Sequence, residues 1–277
     1  MGFLEKTLKG IANYITDALY SERYASQRGL LQILDPRVKL MCILALIFLA
    51  VWTGSLRVFL FLLGFSLFLA AASGISISYY LMRVWLFVPL FTFFIAIPAI
   101  FEAVTPGETI FSWAMYGINI NITKEGVMAA TTLVLRVATT ISLAVLLTLT
   151  TRWESLMRSL RYVGVPTVFI MIMTLTYRYI FYLFSIMQAM ILSRKGRSGV
   201  KQSAIRNWKM YAPLIGALFI RSYETNERVY MAMKARGFGG EMKYERPPSP
   251  GMVSVFFIIM VFMVCLVVIS NETGVFR

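Results

Sequence analysis

The sequence predicts an all-α integral membrane protein with about five transmembrane helices and a helical cytoplasmic domain inserted before the last of them. Three observations carry this expectation. Hydrophobic residues make up 58% of the 277-residue chain and its mean hydropathy is +0.73, whereas soluble domains are roughly 45–50% apolar. Apolar runs close to membrane-spanning length recur along the chain. Finally, 27 Lys and Arg residues stand against 13 Asp and Glu, a formal charge of +14. The cations cluster between particular runs, as they do in loops held on the cytoplasmic side; a nucleic-acid partner is not expected.

The first segment, residues 1–37, is polar and charged. Within residues 3–33, Leu4, Leu8, Ile11, Ile15 and Leu19 recur at helical spacing among charges, the pattern of an amphipathic helix lying on a membrane surface. A solvated tail with some helicity is the plainer alternative. The first 35 residues lack the apolar stretch of a cleavable signal, so none is expected.

Residues 38–149 hold the first four expected spans. Runs at 38–53 and 56–73 are separated only by Thr53-Gly54-Ser55 and read as a tight helical hairpin. Both are marginal against the ~20 residues that cross the hydrocarbon core and must borrow flanking residues. The third run, 84–101, contains Pro89 and Pro98; the fourth, 127–149, is interrupted by Arg136. Between them, the connection at 102–126 carries Glu102, Glu108 and Glu125 against Lys124 alone, so it is read as an outward-facing loop. The chain ahead of the first run and at its very start holds Lys6, Lys9, Arg23, Arg28, Arg37 and Lys39, which places the N-terminus inside.

Residues 167–192 form a fifth apolar run, but charge argues against a crossing there. A span at 167–192 would put Arg194, Lys195, Arg197, Lys201, Arg206, Lys209, Arg221, Arg228, Lys234, Arg236, Lys243 and Arg246 outside, against the positive-inside bias. Arg178 falls mid-run, and a mid-bilayer cation costs roughly 2.5–3.5 kcal/mol on insertion scales. Residues 150–250 are therefore expected to be a cytoplasmic helical domain, too long to be a connecting loop, and residues 251–270 the last span, leaving the C-terminus outside. Within that domain, 152–163 reads as a helix ending at Gly164-Val165-Pro166, 193–202 as a polar hinge, and 210–236 as a second long helix. The second helix has Pro213 in its first turn and Gly237 just past its end, the usual proline–glycine asymmetry.

Both long helices end in similar chemistry: Ser193-Arg194-Lys195-Gly196-Arg197-Ser198 on the first, Ala235-Arg236-Gly237-Phe238 on the second. Small residues flank each arginine, so a partner's backbone can approach closely, and the guanidinium offers a fixed fork of donors to carboxylates or helix carbonyls. Such an end suits a groove on a soluble protein. It also arises from capping alone, since cations and glycine both favour helix C-termini.

The chain resembles the transmembrane T component of energy-coupling factor (ECF) transporters, an ABC-type system, in the CbiQ-like branch of cobalt and nickel uptake. The resemblance covers roughly residues 20–270. It rests on Asp35-Pro36-Arg37-Val38-Lys39-Leu40, on Leu149-Thr150-Thr151 with Leu156 and Leu160, and on Tyr177-Arg178-Tyr179-Ile180. Its most specific parts are Gly216 to Glu224 and Glu227 to Phe238. The family docks two short arginine motifs onto a pair of ATP-hydrolysing subunits. Here they fall on Ala235-Arg236-Gly237 and on Gly196-Arg197-Ser198, where many relatives carry glycine in place of Ser198; Arg194 is the rival to Arg197 as the first anchor. The resemblance implies a non-catalytic coupling subunit in a prokaryotic cell membrane. Its partners would be two ATPase subunits, a substrate-capturing membrane subunit and a small accessory membrane subunit. ATP would be bound by the partners and no cofactor by this chain.

The residues agree with that division of labour. No GxxxxGK[ST] phosphate cradle occurs. Imidazole is a favoured ligand for cobalt- and nickel-type ions, yet the chain has no histidine, and its two cysteines, Cys42 and Cys265, lie in separate apolar runs. The 17 methionines are read as apolar filler, so ion selection is expected on a partner. Two alternatives stay open: a T component serving vitamin-capturing subunits, and a stand-alone channel or secondary carrier in which Arg136 and Arg178 would be pathway charges.

Overall fold

Aspartate, proline and arginine in succession start the first long helix. In the computed structural model of the chain, which describes residues 29–86, 88–101, 105–115, 118–198, 204–240 and 251–272, a single turn α1 (Leu30–Ile33) precedes α2 (Pro36–Trp52). Asp35 caps α2, its Oδ1 accepting from the Arg37 backbone N–H at 3.0 Å. Pro36 occupies the first helical position, where a missing N–H costs nothing. The expected amphipathic helix at 3–33 lies almost wholly outside the described residues.

The hairpin read at Thr53-Gly54-Ser55 is present: α2 ends there and α3 (Leu56–Ala72) begins. The third expected run differs. It opens at Ile77 rather than at 84 and is two helices, α4 (Ile77–Trp85) and α5 (Val88–Ala96), closed by a 3-10 turn at Ile97–Ile100. Pro89 explains the break, because its ring clashes with the carbonyl four residues back, at Trp85, the last residue of α4.

The connection at 102–126, read as a loop, contains a β-hairpin. Strand β1 (Thr109–Met115) pairs antiparallel with β2 (Ile118–Thr123), with Trp113 opposite Ile120 and Met115 opposite Ile118. The signal stands in the sequence: Ile-Asn-Ile-Asn-Ile-Thr at 118–123 alternates with the two-residue period of a strand. Thr123 then caps α6 (Lys124–Thr150), its Oγ1 accepting from the Gly126 N–H at 3.2 Å. A Cβ on Gly126 would lie 2.6 Å from the Ala99 carbonyl oxygen, so glycine lets the first turn of α6 approach the 3-10 turn. After α7 (Trp153–Leu160) come two long helices, α8 (Thr167–Ser198) and α9 (Ala204–Ala235), and finally α10 (Met252–Glu272).

The described residues form two units, 29–159 with 251–272, and 160–198 with 204–240. In the first, α6 is the hub, packing against α2, α3, α4 and α5, while α10 packs on α2. Ala138, Ser142, Leu146 and Leu149 make the buried stripe of α6, and Ile43, Leu46 and Ala50 that of α2. Phe257, Val261, Val264 and Val268 do the same on α10. Each set follows the three-to-four-residue period of one helix face.

Several polar groups inside this bundle bond one another, as an environment without water favours, although the buried Nε of Arg136 has no hydrogen-bond partner among the described residues. The Tyr80 hydroxyl donates to the Ser142 carbonyl at 2.8 Å and lies 2.6 Å from Ser142 Oγ, which is 2.7 Å from Ser66 Oγ. This knot ties α4, α6 and α3 together. Two cations tie α2 to α6. Lys39, 1% exposed, donates from Nζ to the Thr150 carbonyl at 2.9 Å and to Thr151 Oγ1 at 3.1 Å. Arg136 donates from Nη2 to the Thr53 carbonyl at 3.1 Å, with its guanidinium 5.8 Å from the centre of the Phe59 ring.

The two ties are reciprocal. A cation of each helix caps the C-terminal end of the other, and the same number of residues separates the two contacts along both. At ~1.5 Å per residue they stand about 21 Å apart, fixing two antiparallel helices in one register. Arg136 is accordingly level with the α2–α3 turn. It is a helix-end cap, and the first turns of α6 extend past it.

In the second unit α8 and α9 pack against each other. Two sequence expectations are corrected here. The polar hinge at 193–202 does not begin at Ser193, since α8 stays helical through Ser198. The second long helix starts at Ala204, so Pro213 lies inside it and not in its first turn. One proline removes a single backbone donor and usually bends a helix without ending it when the flanking turns are good helix formers.

Candidate functional site

The arginine motifs proposed from sequence occupy the ends of α8 and α9, and the two ends are built differently. On α9, Gly237 has φ +85°, the left-handed conformation that glycine adopts without strain. The Phe238 N–H donates to the Met233 carbonyl at 3.0 Å and the Gly237 N–H to the Lys234 carbonyl at 3.0 Å. These paired bonds form a Schellman cap, and Met233 and Phe238, its two ends, both line the groove between α8 and α9. Arg236 sits at the cap itself and is exposed, as are Ala235 and Gly237. The cap therefore fixes the backbone that carries the arginine while leaving the guanidinium in the open.

On α8, Gly196 and Arg197 are exposed residues of the last helical turn and Ser198 is its final residue. Nothing lies within 4 Å of where a Gly196 Cβ would stand, so glycine there leaves a bare stretch of helix surface beside Arg197. Arg194, one turn back, is half-buried. Of the two candidates for the first anchor, Arg197 is thus the more accessible. Arg178, on the same helix, is exposed.

The helices meet in an apolar groove of about 570 Å³, lined on α8 from Met171 to Leu183, on α9 from Ser222 to Met233, and by Phe238. Phe238 brings the α9 end onto this groove. The lining stops at Leu183 on α8, so the Gly196–Ser198 end continues some 20 Å beyond it at ~1.5 Å per residue. One motif is braced at the groove and the other is carried at the end of a helical extension. Apart from the groove, the pair is sparsely covered: only 6% of the most apolar window of α8 is buried, against 33% for α6. On α9, Ile215, Phe219, Ile220, Tyr223, Tyr230 and Met231 are all exposed.

The family model described as CbiQ, cobalt transport protein, matches residues 27–246, from ahead of α1 to beyond α9. The chain belongs to this family. An uncharacterized protein of Methanocaldococcus jannaschii is 34% identical over 98% of this chain and 92% of its own length. The energy-coupling factor transporter transmembrane protein EcfT of Brevibacillus brevis is 28% identical over 87% of this chain and 95% of its own. That of Acidaminococcus fermentans is 26% identical over 75% and 79%. The resemblance read from the arginine-bearing segments is borne out at this level: the protein is a CbiQ-like T component, a transporter subunit and a multi-pass membrane protein.

For this CbiQ-family chain, sequence reasoning reached the helix-end arginines but passed over the polar groups that organise the bundle. Lys39 was legible as a topological charge and not as a cap. The missing clue is periodicity, since Lys39, Ile43, Leu46 and Ala50 fall on one helical face. A lysine on the buried stripe must find acceptors on a neighbouring helix. Tyr80, Ser66 and Ser142 carried no comparable signal, because serine and tyrosine are common on either face of a membrane helix.

Proposed function

We propose that this protein is the coupling subunit of an ATP-driven ECF importer for cobalt or nickel. In this reading two ATPase subunits grip the helix-end arginines, Arg236 in Ala235-Arg236-Gly237 and Arg197 in Gly196-Arg197-Ser198, and closure of the ATPase pair on ATP levers α8 and α9. The membrane part then tips or releases a substrate-capturing membrane subunit, with a small accessory membrane subunit beside it. The chain is non-catalytic and binds no cofactor; ATP belongs to the partners.

The observation that carries the reading is the exposed arginine at the end of each of two long, packed, otherwise sparsely buried helices. A helix pair that needed only its own packing would hide more of its apolar surface. Topology follows charge. The N-terminus and the two long helices lie on the cytoplasmic side, α2, α3, the α4–α5 pair, α6 and α10 cross, and the C-terminus is outside. By length and composition Thr167–Arg194 could also cross, but it would carry Arg178 into the bilayer and the cations of 194–246 to the outer face. The metal assignment draws on the family description; because the chain has no histidine, selection of such an ion would fall to a partner. A T component serving vitamin-capturing subunits is the second reading, left open because the relatives described as energy-coupling factor transporter transmembrane protein EcfT carry no metal in their description.

Charge reversal tests the reading. Arg197→Glu and Arg236→Glu are expected to leave the chain inserted while lowering co-purification of the ATPase subunits and metal uptake at least tenfold. Undiminished complex and undiminished uptake in both variants would overturn the assignment. Uptake of a vitamin but not of Co²⁺ or Ni²⁺ by the reconstituted complex would select the second reading.

A further inference from the structure

The buried amine of Lys39 has no role in the docking scheme above, and its position is specific. It grips the carbonyl of Thr150, the last residue of α6, and the hydroxyl of Thr151, the residue that leaves the helix. Thr151 is followed by α7, which belongs to the bundle unit as far as Ser159, and then by the two long helices, so the exit turn of α6 stands one short helix ahead of the point at which the chain passes to its second unit. The last carbonyls of any helix lack intrahelical partners and its last turn frays readily. In α6 the terminal carbonyl receives an ammonium from a different helix, aligned with the negative end of the helix dipole. α2 is itself held in register at its far end by the Arg136–Thr53 contact.

We infer that Lys39 is a positioning residue for energy coupling: it locks the exit turn of α6 to α2, so that movement of the long helices reaches the bundle instead of being absorbed by unwinding of that turn. This inference rests on the coupling reading given above. Mechanically, a lever transmits displacement only if its root is stiff. Without the amine, the root is one helical turn with free carbonyls, opening at low cost whenever the long helices move. A lysine placed merely to orient the first span could sit in the headgroup region. This one is 1% exposed, and both of its hydrogen bonds go to the C-terminal end of α6 and the residue that follows it.

Two measurements on Lys39→Met and Lys39→Arg test the inference. The first is amide hydrogen exchange at residues 148–151 of the full chain in lipid nanodiscs. Lys39→Met is expected to raise exchange there at least tenfold with the rest of α6 unchanged, and Lys39→Arg, which keeps a buried cation donor, to restore most of the protection. Unchanged exchange in Lys39→Met overturns the clamp.

The second is the ratio of metal ions taken up to ATP hydrolysed in the reconstituted complex, normalised to assembled complex. Lys39→Met is expected to keep ATP hydrolysis and lower this ratio about fivefold or more, with partial recovery in Lys39→Arg. A purely structural role would lower the yield of complex and leave the ratio intact, and that outcome rejects the inference. Failure of the coupling reading has a separate signature, namely no ATP-driven uptake by the unsubstituted complex, to which the exchange experiment is indifferent.

Discussion

α6 of the bundle and α8 of the long pair are both long and apolar enough to cross a membrane, yet the bundle and the pair α8–α9 hide their apolar residues very differently. α6 buries one face against four neighbouring helices, and its core positions Ala138, Leu143, Leu146 and Leu149 are 0% exposed. α9 is longer and leaves Ile215, Phe219 and Tyr223 between 60% and 72% exposed. The polar groups differ in the same way. In the bundle, Lys39, Ser66, Tyr80 and Ser142 are consumed by contacts within the chain. At the helix ends, Arg197 and Arg236 are displayed. One region is finished by its own sequence, and the other presents apolar and cationic surface that intrachain packing leaves uncovered. That contrast is what a coupling subunit needs: a stiff body, and surfaces reserved for partners.

The largest expected effect that could break the comparison is in the bundle core. Leu146→Ala removes a fully buried side chain from the α6 hub and is expected to cost about 2–5 kcal/mol, read as a lower midpoint in thermal unfolding of the detergent-solubilised chain. Phe219→Ala, at a position 72% exposed, is expected to change the same midpoint by the equivalent of about 0.5 kcal/mol or less. Equal losses in the two variants would mean that the long pair has an intrachain core after all, and the contrast would fall.

The next effect sharpens the account of the α9 end. Gly237→Ala forces a residue with a Cβ into φ +85°, a penalty of about 1–2 kcal/mol. Its expected signature is faster amide exchange at Gly237 and Phe238, the two donors of the cap, with the bundle's thermal midpoint unchanged. Slow exchange retained at both amides would show that the cap does not depend on glycine.

The smallest effect concerns the buried polar knot. Tyr80→Phe removes the hydroxyl that bonds Ser142 and leaves the Ser66–Ser142 contact in place. A loss of about 0.5–1.5 kcal/mol is expected, the range of interhelical hydrogen bonds in membranes. A loss as large as that of Leu146→Ala would make the knot, and not apolar packing, the main fastening of the bundle.

By itself the sequence determined the membrane character, the hairpin turn at Thr53-Gly54-Ser55, the two long helices and the glycine stop of the second. These are written in hydropathy, in short-range turn chemistry and in charge, all of which act over a few residues. It also contained the strand alternation at 118–123, although acidic residues around it favour a loop on a first reading. Only the tertiary structure decided that Lys39 and Arg136 are mutual helix-end caps, that Tyr80 meets Ser142 and Ser66, and that α8 is helical through its arginine motif. The physical reason is range. A buried cation or hydroxyl announces that it needs an acceptor, but the acceptor belongs to whichever helix packing brings alongside, and that pairing is fixed by the summed shape of several apolar faces rather than by any stretch of residues on its own.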